Sequence, residues 1–373
     1  MKSNLVRSII HGSYLLIAKP ILFQIDPETV HNQALIIGHW FGAKNYRRNF
    51  VKNLFSFESV SLKQTIAGLN FVNPVGLAAG FDKNGVLTEV MEGLGFGFTE
   101  IGSITGRACA GNAKPRLWRF KKSKSIAVYY GLANEGADKV VARVSKNKIN
   151  IPLGINIAKT NDHLTDDVDE ATKDYLVGWH EASKAASYIT VNISCPNTSG
   201  GQPFIDPLLL ERLLSAIGRE NSQMPVFIKM SPDLDETQVD NLLEVIARHR
   251  ITGLICSNLT HEKTHLTKEE QLMETKGGVS GKGLEEEANK LLAMIYKKTK
   301  GRYTLVGCGG ISSSADAYKK IKLGASLLQL ITGMIYEGPQ LIGEINYGLN
   351  KLLKADGYKN IAEAVGADIK RGL

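Results

Sequence analysis

The chain has only four cysteines in 373 residues, Cys109, Cys195, Cys256 and Cys308, and no two of them form a C-x-x-C pair. That spacing speaks against a disulfide framework, a zinc site and an iron–sulfur cluster. It predicts reduced thiols in a cytoplasmic setting. Long hydrophobic runs are also missing. Residues 5–23 are rich in apolar side chains but broken by Arg7, His11, Gly12, Lys19 and Pro20. The longest clean run falls far short of the roughly 18 residues that cross a bilayer. No small-residue cleavage site follows it, which argues against a signal peptide. Internal repeats and low-complexity tracts are absent, so a solenoid is excluded. The formal net charge is +8, with basic clusters at 47–48 and 121–124. Aromatics do not interleave with these charges, so no nucleic-acid partner is expected. A solvated basic surface is the simpler reading, with attraction to anionic lipid or an anionic substrate as the second.

What is present is ordinary globular material, 43% hydrophobic and 22% charged. A barrel of about 250 residues is a single domain, which leaves roughly 100 residues for extensions. Asp26 and Pro27 predict a helix start, and Leu35, Ile36, His39 and Trp40 continue an amphipathic pattern. Two N-terminal helices with these properties are either a lid or an interfacial pair dipping into a membrane; periodicity does not choose between them. After a basic loop, 60–62 and 65–70 predict a hairpin closing the bottom of a barrel. Apolar β-rich runs then recur at 75–79, 98–103, 153–157, 188–193, 226–229, 253–256, 304–306 and 327–331. Helical stretches alternate with them, from about Val86 and at 167–186, 207–219, 236–249, 284–299 and 314–322, and a long excursion at 105–135 breaks the rhythm. Eight such alternations predict a parallel α/β fold, a closed (β/α)8 TIM barrel with an N-terminal helical extension.

The strand ends carry the chemistry. The run 187–198 passes from a buried strand into Asn192, Ser194, Cys195 and Asn197, with Pro196 ending strand pairing. Other ends bring Lys83, Ser103, Asn156, Lys229, Ser257 and Asn258 to the same face of the barrel. Lysines ending buried strands are informative, because an ammonium rarely enters a barrel top unpaired. Gly309-Gly310 after the seventh strand and Thr332-Gly333 after the eighth occupy the place where barrels bind phosphate. No zinc ligands, acid pair or Ser/His/Asp arrangement accompanies them, which points to a phosphate-bearing cofactor rather than hydrolysis.

Several motifs in order, 73–83, 100–103, 114–117, 153–157, 191–198 (VNISCPNT), 228–233, 277–281 and 306–311, resemble dihydroorotate dehydrogenases. Leu22-Phe-Gln-Ile-Asp-Pro-Glu28 and the N-terminal extension resemble their class 2, quinone-reducing branch. The resemblance implies FMN held by Ala79, Gly80, Lys83, Ser103, Asn156, Asn192, Lys229, Ser257, Gly281, Gly309, Gly310, Ile331 and Thr332. It implies dihydroorotate held by Lys83, Asn192, Asn197 and Asn258, with a C5 proton leaving to a base at Cys195 and a hydride passing to flavin. No metal is implied. Residues 1–45 become a membrane-associated quinone-entrance extension and 46–373 the FMN-binding barrel. The implied partners are dihydroorotate and orotate, a quinone, and a membrane surface, with the protein peripheral on its cytoplasmic face; the alternative is cytoplasmic.

The chain departs from that branch in three places. Cys195 stands where class 2 members carry Ser; a thiol, with an ordinary pKa of about 8.5, loses its proton more readily than a hydroxyl. Val128 replaces the Asn that usually opens the substrate loop, and Leu259 replaces a usual Thr. Losing such a contact costs about 1–3 kcal/mol, so either Tyr129 or Tyr130 compensates or the substrate differs. The alternatives are thus an FMN barrel oxidoreductase acting on a related cyclic amide, or a flavin-binding membrane-associated protein without turnover.

Overall fold

The computed structural model describes residues 2–220 and 223–372, with side chains from residue 6 onward; the first residues of the expected 1–45 extension lie outside that description. Eight parallel strands close a barrel: β1 (Val75–Leu77), β2 (Phe98–Ile104), β3 (Leu153–Ile157), β4 (Tyr188–Asn192), β5 (Val226–Met230), β6 (Gly253–Cys256), β7 (Thr304–Cys308) and β8 (Leu327–Leu330). Each pairs with the next, and β8 closes on β1 with Leu328 opposite Val75 and Leu330 opposite Leu77. All positions of β1 to β6 and of β8 are buried. This follows from strands packed by side chains inside and helices outside, and it is why they read as unbroken apolar runs.

Helices Val168–Ala182, Pro207–Gly218, Glu236–Ile246 and Ser314–Lys322 lie where the alternation predicts them. Asp167, Asp206, Asp235 and Ser313 cap them, each side chain accepting from free N–H groups of the first turn. Phe71, Phe98, Tyr188 and Phe227 plug the barrel floor, with the Phe71 and Phe98 rings edge to face at 5.4 Å.

Three expectations need correction. No helix starts near Val86. The Asp82 carboxylate, fully buried, accepts from Val86 N (2.9 Å) and Leu87 N (2.7 Å), and the chain continues as turns to residue 95. Gly85 (φ +69) and Gly95 (φ +96) take left-handed backbone there, which a helix does not accommodate. The floor hairpin is Gln64–Ile66 with Leu69–Phe71, and Val60–Leu62 is a single 3-10 turn. Ala67 and Gly68 both have positive φ, the two-residue turn that suits such a hairpin. The expected basic loop is a helix, Asn45–Phe55, whose Arg48 and Lys52 bind Glu89 (2.8 Å) and Glu92 (3.0 Å) of the barrel. The excursion at 105–135 leaves the strand–helix alternation, as expected. Its strands Leu117–Phe120 and Ser125–Val128 form an antiparallel sheet with Gly278–Gly281 at the cavity rim.

The N-terminal region forms helix Lys2–Ser13, a wide turn Tyr14–Ala18, a short helix Lys19–Leu22 and helix Pro27–Gly42. Asp26 caps the last, accepting from Thr29 N at 2.8 Å. One side of this region docks on the barrel: Tyr14 donates to Ile335 O (2.6 Å) and Glu28 pairs with Arg116 (2.7 Å). The other side leaves Ile9, Leu16, Ile17, Ile21, Ile36, Ile37 and Trp40 exposed, Leu16 by 80%. Among the described residues, no helix is long and apolar enough to cross a membrane.

Candidate active site

One cavity opens at the C-terminal ends of the barrel strands. Ala79, Gly80, Lys83, Ser103, Asn192, Cys195, Asn197, Lys229, Ser257, Asn258, Gly281, Gly309, Gly310, Ile331 and Thr332 all line it, as does Tyr130. Two expected residues do not. Asn156 lies beneath, accepting from Ser103 Oγ and donating to Glu100 at 2.9 Å. Tyr129 turns away, its ring 5.9 Å from Lys276 Nζ.

The amides are fixed by a buried network. Asn192 Nδ2 donates to Ser103 Oγ (3.0 Å), and Asn258 Nδ2 donates to Asn192 Oδ1 (3.2 Å) and Ser194 O (2.8 Å). Glu100, fully buried under this layer, accepts from Asn156, Tyr188, Thr190 and Gln329. Each link constrains the next, so the amides present one orientation to the cavity. Asn197 Nδ2 is committed to Val128 O (2.9 Å), which leaves its buried Oδ1 without a protein partner.

Lys83 donates to Gly80 O (2.7 Å) and sits 3.8 Å from the Tyr130 ring centroid. Burial, aided by Arg116, pushes its ammonium down to about 8. Burial pushes the Cys195 thiol up to about 11, against the pull of the Asn197 N–H, Lys229 and Lys159.

Sequence reasoning missed His31 of helix Pro27–Gly42, which also lines the cavity. Its ring meets Phe81 at 4.8 Å, and burial together with Lys83 holds it down at about 3, so it stays neutral. Nothing local marks it; the only hint is that its helix begins in the Leu22–Glu28 motif. Glu100 was visible only as part of a motif, since a lone carboxylate within an apolar strand gives no sign of what it bonds.

A flavin phosphate fits the glycine turns. Gly309 (φ +101) and Gly310 (φ +77) lie in the left-handed region, and a Cβ on Gly310 would fall 2.4 Å from that of Glu285. A Cβ on Gly333 would meet Ile311 O at 2.1 Å. Packing thus keeps side chains off these positions, and as they line the cavity they present backbone there, the surface a phosphate needs. Lys229 is 5% exposed, and among the described residues its ammonium has no hydrogen-bond acceptor. A buried, unpaired cation facing a cavity calls for an electron-rich group. Both observations suit FMN.

Residues 61–353 match the family model described as dihydroorotate dehydrogenase. A Nostoc punctiforme protein named dihydroorotate dehydrogenase (quinone) is 35% identical over 373 aligned residues, spanning 96% of this chain and 98% of its own. A Haloarcula marismortui protein of the same name is 35% identical over 95% of this chain and 99% of its own. Among solved structures, the Eimeria tenella enzyme in complex with ferulenol superposes with a TM-score of 0.83 at 28% identity, covering 93% of this chain and 98% of that one.

Proposed function

The chain belongs to the dihydroorotate dehydrogenase family, and from that premise we propose how its own residues carry the reaction. The chain oxidises dihydroorotate to orotate in pyrimidine biosynthesis, with FMN as cofactor and a quinone as electron acceptor. Relatives of that name extend along nearly its whole length, so neither a related cyclic amide nor binding without turnover is retained as the reading. The observation that carries the site assignment is one cavity bringing Cys195 together with Lys83, Asn192, Asn197 and Asn258, beside Lys229 and the glycine turns.

When bound, FMN supplies the two-electron acceptor. Lys83 holds the substrate carboxylate as its counter-ion. The buried, unpartnered Oδ1 of Asn197 accepts a ring N–H, while one amide N–H anchors the side chain to Val128 O. Asn192 and Asn258 orient the ring through the network that fixes them. Cys195, as thiolate, takes the C5 proton and becomes a thiol. Lys229 offers its charge to the electron-rich edge of the cofactor. Purified protein should form orotate beyond one equivalent per flavin only when dihydroorotate and a quinone are supplied together; no such accumulation with both present contradicts the reading.

Tyr130 is proposed to replace the polar group absent at Val128. Its hydroxyl is buried without a partner among the described residues, whereas Tyr129 lies outside the cavity lining. Tyr130→Phe should therefore raise the KM for dihydroorotate by roughly 5- to 150-fold, the worth of one buried contact of about 1–3 kcal/mol. Tyr129→Phe and Val128→Asn should not improve or impair it. An unchanged KM in Tyr130→Phe contradicts the replacement.

We also assign the exposed apolar face of the N-terminal helices to a membrane surface, where a lipid-soluble quinone is found. Wholesale deletion of residues 1–45 is a poor test, since it also removes His31 and the Glu28 partner of Arg116. The triple variant Leu16→Ser, Ile36→Ser, Trp40→Ser touches exposed side chains only. It should lose co-sedimentation with liposomes while dihydroorotate still reduces its flavin at the normal rate. Undiminished liposome binding would make the face a lid surface instead.

A further inference from the structure

Lys159 follows β3 and is 3% exposed, yet it does not line the active-site cavity. Its ammonium donates to Ser199 O at 2.7 Å and to Thr165 Oγ1 at 3.4 Å. The same Ser199 donates its N–H to Asn161 Oδ1 (2.7 Å) and its hydroxyl to Asp166 (3.0 Å). The segment after β3 thus grips, at three atoms, the residue four positions beyond Cys195. Thr198 Oγ1 continues the grip, donating to Gly201 O (2.9 Å) and Cys195 O (3.4 Å). Behind the thiol, a second, small cavity is shared by Lys159, Cys195, Thr198, Tyr175 and Phe204. The third N–H of the ammonium has no acceptor among the described residues.

We infer that Lys159 is a positioning residue for the base: it pins the Cys195–Gly201 loop and stabilises the Cys195 thiolate from the rear cavity. The inference rests on the reading of Cys195 as base. Lys229 acts on the sulfur from the cofactor side and Lys159 from behind; the Cys109 thiol opposes them, and the Tyr175 phenol is also near. Lys159 in turn faces Asp166, Asp162 and Asp174 besides Cys195. In the step itself the thiolate takes the C5 proton and becomes a thiol, the ammonium keeps its three protons, and the thiol later returns its proton to water. Burying a cation in this wall is costly; Asp166, Asp162 and Asp174 offset it at rest, and the thiolate adds to them while it waits for the C5 proton.

The test uses the holoenzyme and two readouts: the pH dependence of anaerobic flavin reduction by dihydroorotate, and the pH dependence of Cys195 alkylation by iodoacetamide, followed by peptide mass spectrometry. Lys159→Gln keeps a donor for Ser199 O but removes the charge. Both limbs should start from rates about tenfold lower near neutrality, the effect of a nearby opposite charge, and meet wild type at high pH, because burial lowers the Lys159 ammonium and wild type then loses that charge too. Lys159→Arg should restore the limbs. A purely structural role would slow the reaction equally at every pH and leave both limbs in place, which overturns the inference. Should Lys159→Gln fail to retain flavin, Asp166→Asn decides at a partly exposed site. Removing that carboxylate frees the ammonium's field, so the limbs should move down; no shift, or an upward one, overturns the inference. Alkylation reports on the thiol without turnover. Failure of dihydroorotate to reduce the wild-type flavin would therefore count against the proposed function, and an unmoved alkylation limb against Lys159 alone.

Discussion

Replacing Cys195 with alanine is expected to leave FMN bound and to slow its anaerobic reduction by dihydroorotate by about 10²–10⁴-fold, the usual worth of a positioned base. Flavin retention follows from the geometry. The glycine turns and Lys229 belong to β5, β7 and β8, and Cys195 makes no hydrogen bond to them. The pH dependence sharpens the expectation. With the thiol pushed up to about 11, only a small thiolate fraction exists at neutral pH, so the reduction rate should climb about tenfold per pH unit until it nears that value. Lys83 works in the opposite sense. Its cation is lost as pH rises through about 8, so in the free enzyme affinity for the anionic substrate weakens above that point. The rate at saturation should therefore rise with pH while KM also rises. Cys195→Ser should retain part of the activity with its limb moved further up. A rate in Cys195→Ala within a few-fold of wild type would remove the thiol from the mechanism.

The second large effect is structural. Glu100→Ala should cost about 3–5 kcal/mol of stability, because it removes one side of a buried, hydrogen-bonded charge site. Asn156, Tyr188, Thr190 and Gln329 all donate to that carboxylate at 2.8 to 3.1 Å inside the barrel, and alanine leaves these donors stranded. The loss should reach the active site, since Asn156 orients Ser103 and Ser103 receives Asn192. Urea unfolding followed by flavin release should show the drop, with Glu100→Gln intermediate because its amide still accepts. A loss below about 1 kcal/mol in Glu100→Ala would mean that the network is not held by the carboxylate.

The barrel was legible because strands buried on both faces leave unbroken apolar runs, and because Asp and Ser at the helix starts are local signals that the structure uses as caps. The cavity was legible for the same reason: residues ending parallel strands converge on one rim. What escaped depends on distant partners. Residues 45–55 look like a basic loop until Glu89 and Glu92 arrive from the barrel to pair with Arg48 and Lys52. The stretch from about Val86 looks helical until the Asp82 carboxylate takes the Val86 and Leu87 N–H groups. Tyr129 and Tyr130 are equivalent in composition, but neighbours leaving an extended strand face opposite ways, and only the fold says which one meets the cavity. His31 itself lies more than 40 residues before β1 and reaches the site from its own helix, a contact no local pattern encodes.

The most direct measurement is anaerobic mixing of the purified flavoprotein with dihydroorotate while the flavin absorbance is followed. The account predicts bleaching with stoichiometric orotate formation, and return of the absorbance when quinone is added. A chain that carries its full complement of FMN yet shows no bleaching at saturating dihydroorotate would contradict it.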